Sequence, residues 1–140
     1  MENETAVTVG TLQQLRSVRQ KLLQLHKVLL DYQRVIWERN GGRVSNSYEL
    51  LNLVMHSLEF SWLHRLSELI VQIDELLDSE DATEAVAVSL LDEVKLLLMP
   101  SEEGDEFQRR YFEALQESPD VVLAHSEVIA ILGKKSRQVH

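Results

Sequence analysis

The chain of 140 residues contains no cysteine. Disulfides, thiolate metal sites and cysteine nucleophiles are therefore excluded, and a reducing compartment is permitted. Long apolar runs are also lacking. No stretch approaches the roughly 18–20 uninterrupted apolar residues of a membrane span. The opening Met-Glu-Asn-Glu-Thr is polar and acidic, without the basic and apolar regions of a secretory leader. Cytoplasmic residence and no membrane partner are the expectations.

Proline occurs only at Pro100 and Pro119, and glycine only at Gly10, Gly41, Gly42, Gly104 and Gly133. These breakers fall between periodic segments, as punctuation of a helical chain does. The length fits one domain over residues 1–140, with 1–10 and 134–140 read as frayed tails.

Basic charge is scarce, and the formal net charge is −9. Residues 1–47 hold seven Lys/Arg against four Asp/Glu, whereas 48–133 hold four against nineteen. An acidic surface opposes phosphate binding, so no nucleic-acid partner is expected. The cluster Arg16, Arg19 and Lys21 is read instead as complementing Asp74, Glu75, Asp78, Glu80 and Asp81 across an antiparallel pair of helices.

What is present is helical periodicity. Leu15, Val18, Leu22, Leu25, Leu29, Tyr32 and Ile36 alternate three and four apart, forming a seam. Leu23, Leu30 and Trp37 repeat every seven residues beside it. Two apolar rows require cover on two sides. Thr11 is a candidate N-cap, and Gly41-Gly42 ends this first helix near Asn40.

Asn46 with Glu49 reads as a capping box for a second helix. Leu50, Leu51, Val54, Leu58, Trp62, Leu66, Leu69, Ile73 and Leu76 keep helical spacing to about Asp78. The pattern fits one long helix, with a possible break over 57–60. Ser79 or Asp81 can cap a third helix that Pro100 stops. A fourth covers about 105–117. Ser118-Pro119-Asp120 starts a fifth, which Gly133 closes. The expected fold is all-α: an antiparallel bundle of four to five helices with a long hairpin of the first two.

Chemistry-bearing residues are few. His26 and His125 fall within apolar arcs, so each is expected to be partly buried and hydrogen-bonded to a carbonyl or carboxylate. With His56, at the border of its helix's apolar face, they are the candidates for a metal or small-molecule site. His64 is read as facing solvent, and His140 lies in the tail. No Glu-x-x-His occurs, so the di-iron pattern of ferritin-like bundles is missing. His64-Arg-Leu-Ser-Glu68 resembles the His-x-x-x-Glu of haemerythrin-like bundles, but the third helix lacks the histidine pair that family needs. His-Glu-x-x-His, Gly-x-Ser-x-Gly and phosphate-binding glycine loops are absent. No catalytic residue and no cofactor are implied, and the chain is read as a non-enzyme.

The segment Phe60-Ser-Trp-Leu-His-Arg-Leu-Ser-Glu-Leu-Ile-Val-Gln-Ile-Asp74 resembles a pattern in small, functionally uncharacterised bacterial all-helical proteins. Pro119-Asp-Val-Val-Leu-Ala-His125 is similar to another part of them. Those proteins often carry proline where this chain has Arg65. The resemblance implies a bacterial, cytoplasmic protein and transfers no site residue.

The functional expectation is a non-catalytic association or regulatory module, forming a homodimer or binding another helical protein. Three shorter helices cannot cover a long hairpin, and an uncovered apolar patch marks an interface. Leu23, Leu30 and Trp37 are the expected interface residues, with Trp37 favoured because it lies off the main seam.

Overall fold

A computed structural model describes residues 5–134 of the chain. Six α-helices follow in order: α1 Val9–Arg39, α2 Ser47–His56, α3 His64–Asp78, α4 Glu84–Leu97, α5 Glu106–Glu117 and α6 Pro119–Leu132. A 3-10 helix, Leu58–Leu63, joins α2 to α3. No described helix is long and apolar enough to cross a membrane.

The 31-residue α1 is the wall on which the others are built. Its seam residues Leu15, Val18, Leu22, Leu25 and Leu29 are fully buried. Helices α3 and α6 pack against it on two flanks, with α4 beside its start. Both long partners run antiparallel to it. Arg19 pairs with Asp74, and Gln33 accepts a bond from Trp62, so α3 and its 3-10 lead-in ascend as α1 descends. On the other flank Lys21 meets Glu127 at 3.1 Å, and Gln14 Nε2 donates to the carbonyls of Ile131 and Lys134. The Gln14 amide thereby ties the end of α6 to α1, adding a donor to an Ile131 carbonyl that already accepts from Lys134 N–H. The Arg19–Asp74 pair realises the charge complementarity read between these segments.

The start of the chain departs from the expected fraying. Residues 5–8 are tied to the segment before α4. Val7 N–H donates to Ala82 O, and Glu84 N–H to Thr5 O. Helix α1 begins at Val9, and its N-cap is Thr8 rather than Thr11. Thr8 Oγ1 accepts from Thr11 N–H, and Glu84 takes over two further donors. Its Oε1 accepts from Thr8 N–H at 2.8 Å and its Oε2 from Thr11 Oγ1 at 2.7 Å. One carboxylate in the first turn of α4 therefore also fixes the first turn of α1. Tails 1–4 and 135–140, with His140, lie outside the described residues.

The long hairpin is replaced by a broken arm. Ser57 is extended, with ψ 134°, and its side chain accepts from Glu59 N–H. Helix α2 therefore stops at His56. In the following 3-10 turn, residues three apart share a side. Phe60 and Leu63 enter the core together, and Trp62 is buried with them. A continuing α-helix would point these three bulky groups in divergent directions, which is why the backbone changes pitch here. Trp62 also donates its indole N–H to the buried Gln33 Oε1 at 2.9 Å. The fold thus holds six α-helices rather than four to five, and α2 does not extend the arm that pairs with α1.

The other boundaries follow from local chemistry. Thr83, rather than Ser79 or Asp81, caps α4 by accepting from Val86 N–H. Asp105 and Gln108 form a reciprocal capping box at α5, and Ser118 caps α6 ahead of Pro119. Gly41, at φ 100°, ends α1. Its N–H donates to Glu38 O, and Gly42 N–H donates to Trp37 O, the two bonds of a Schellman motif.

Two stability predictions follow from these ties. Glu84→Ala removes the acceptor of both Thr8 N–H and Thr11 Oγ1 and is expected to lower unfolding free energy by about 1–3 kcal/mol. Gly41→Ala places a Cβ at positive φ and is expected to cost about 1 kcal/mol. Urea denaturation followed by circular dichroism measures both.

Candidate functional site

The two half-buried histidines are separated and already partnered. His26 on α1 lies with Nε2 2.9 Å from Ser67 Oγ on α3. His125 on α6 has Nδ1 2.6 Å from the hydroxyl of Tyr111 on α5. Tyr111 is fully buried and stacks on Phe107, which in turn meets the Trp62 ring. Both histidines thus bond hydroxyls, not the carbonyls or carboxylates expected of them. His56 is exposed at the end of α2. His64 is exposed as expected, and its Nε2 lies 2.8 Å from Val54 O, joining α3 to the last turn of α2. Among the described residues, no group of three or more His, Asp or Glu could hold a metal ion. His26, His125 and His56 are not brought into one place.

Burial shapes how these groups titrate. Desolvation lowers the pKa of His26 below 6.5, and the nearby His64 adds to the shift. Desolvation lowers His125 in the same way and pushes the Tyr111 hydroxyl up. A protonated His125 could no longer accept from Tyr111 at Nδ1. The contact is structural in either state, since the Tyr111 hydroxyl can donate to a bare Nδ1 or accept from a protonated one.

The outer row of α1 is largely occupied by the chain itself. Leu30 is half-buried against the core. Trp37 is half-buried and meets Phe60 edge-on, with ring centroids 6.0 Å apart. Its indole edge lies under Gly42, where a Cβ would come within 2.2 Å of Nε1. The indole N–H is buried with no hydrogen-bond partner among the described residues. Only Leu23 of the three is exposed.

An open apolar stripe lies on α2 instead. This helix has no buried residue and packs chiefly against the 3-10 turn. Tyr48, Leu51 and Met55 fall at i, i+3 and i+7, a single stripe. They are 77%, 55% and 57% exposed, and Leu58 just beyond the break is 85% exposed. The half-buried Leu50, Leu53 and Val54 supply its inward row. Glu49 is the only Asp, Glu, Lys or Arg of α2. The outward row was legible in principle as a second stripe beside the first. It was absorbed into a long helix because Leu51 and Leu58 also fit that longer period.

No family model matches the chain, and no curated protein or solved structure matches it at a significant level.

The histidine contacts carry a pH prediction. Each folded-state pKa lies below the unfolded value of 6.5. The unfolded chain therefore binds more protons as the pH falls below 6.5, and stability declines in that window. Above it both groups are neutral in both states and contribute no slope. Urea midpoints recorded from neutral pH downwards are expected to fall below pH 6.5, and less so in His26→Gln and His125→Gln.

Proposed function

We propose that the protein is a non-catalytic association module, and that its contact surface is the outward stripe of α2, where it meets a second copy of itself. One observation carries this reading: an amphipathic helix with an apolar outward row and no buried residue. Such a stripe left in water is the usual mark of an interface.

Charge favours a second copy at this place. Two identical chains, each with formal charge −9, repel over most of their surfaces. Helix α2 is nearly uncharged, so two copies can approach there without that cost. An isologous contact would lay the two stripes against each other about a twofold axis. Burying one large apolar side chain stabilises by about 1.5–3 kcal/mol. Leu51, Met55 and Leu58 from both copies would then supply on the order of 10 kcal/mol before the loss of translational and rotational freedom. That loss consumes much of the gain, so dissociation on the order of micromolar is expected. The reading keeps the homodimer expected from sequence and moves its contact from Leu23, Leu30 and Trp37 to α2.

Sedimentation velocity across the micromolar range tests it. Native protein is expected to pass from monomer to dimer with rising concentration. Leu51→Glu with Met55→Glu is expected to remain monomeric with an unchanged thermal midpoint, because neither side chain is buried. A native monomer at tens of micromolar, or a dimer that survives the double substitution, overturns the reading.

A further inference from the structure

A second surface, remote in character from α2, lies along the seam of α3 and α4. Two depressions of about 500 and 410 Å³ meet at Gln72 and run the length of α4. The floor is apolar, from Leu97 and Leu69 at one end to Leu90 and Leu76 at the other. Leu96 and Met99 on its wall are 63% and 57% exposed. The 14 residues of α4 give this trough a length of roughly 20 Å, about four turns of a helix.

Its rim is acidic. Glu68 and Glu93 border one depression, and Glu75 and Asp81 border the other. Among the described residues none of these four is ion-paired. The single cation lining the trough, Arg65, is already bonded to Asp105. Four unpaired carboxylates flanking an apolar floor leave like-charge repulsion unrelieved. A ligand that brings cations beside an apolar stripe would relieve it.

We propose that this trough binds a basic amphipathic helix of another protein, its apolar stripe on Leu96 and Met99 and its Lys or Arg residues against Glu68, Glu75 and Glu93. Helix-in-groove recognition uses anchors at i, i+3, i+4 and i+7 with flanking charges, and both halves of that complement are present here. A second copy of this chain does not fit. Its one basic helical segment, around Arg16 to Lys27, belongs to α1, whose seam is already buried. Nucleic acid and anionic membranes carry the same sign of charge as the rim and are excluded by it.

The test uses the full chain and a labelled 15-residue peptide of leucine and lysine at amphipathic helical spacing. Fluorescence polarisation at low ionic strength is expected to show saturable binding that weakens as salt is added. Leu96→Asp with Met99→Asp is expected to weaken it about tenfold or more, as is Glu68→Lys with Glu93→Lys. All four positions are on the surface, so circular dichroism is expected to be unchanged. The monomeric Leu51→Glu, Met55→Glu protein is expected to bind as the native one does. This separates the trough from the α2 contact, and either can fail alone. The proposal is overturned by no binding to native protein or by groove variants that bind unchanged. It is equally overturned if a sequence-scrambled peptide of the same composition, or a leucine–glutamate analogue, binds equally well.

Discussion

Burying α1 on two sides at once governs how the other elements are arranged. A helix covered on one flank needs only a narrow seam. This one must present apolar groups to α3, α4 and α6, and its arc is correspondingly wide. The width forces polar groups into covered positions, and the fold answers each with a specific partner. Gln33 receives the indole N–H of Trp62. His26 meets Ser67. Thr11 meets Glu84. These contacts fix the rotation of α1 against its neighbours, which apolar packing alone would leave more tolerant. Isolated surface pairs such as Lys21–Glu127 add little beside them.

The same constraint explains why α2 stands apart. Both flanks of α1 are taken, and the 3-10 turn directs Phe60, Trp62 and Leu63 into the remaining space. Nothing of the core is left for α2 to cover. It is held by the turn beneath it and by the contact of His64 with Val54 O. A helix so lightly attached draws little stability from its own chain. Its outward row of Tyr48, Leu51 and Met55 is left in water.

The parts of the fold that depend on neighbours in sequence were legible there. The five seam residues from Leu15 to Leu29 are fully buried, as their spacing requires. The starts at Asn46 and Ser118–Pro119 stand where capping chemistry places them. What escaped depends on distant partners. Thr8 caps α1 through its own hydroxyl, while its N–H is taken by Glu84, 76 residues away, a contact that no local pattern shows. The break near Ser57, one of the two readings of that segment, is decided by three bulky groups seeking one core, which helical period alone does not encode. Trp37 reads as peripheral by spacing, yet the Gly41–Gly42 turn folds back over its ring. The candidate surface on α2 was missed for the same reason, since a row counts as outward only once the arm is known to be broken.

The antiparallel placement of α6 against α1 has a consequence for the order in which the chain is made. Among the described helices, α1 is made first and α6, one of its main covers, is made last. Contacts such as Gln14 with Lys134 join positions 120 apart in the chain and close only once both have been synthesised. During that interval the newborn α1 carries a bare leucine stripe, the kind of surface that chaperones engage and that aggregates when left alone. Slow translation through α4 and α5 would lengthen that exposure, whereas early docking of α3 would cover one flank sooner.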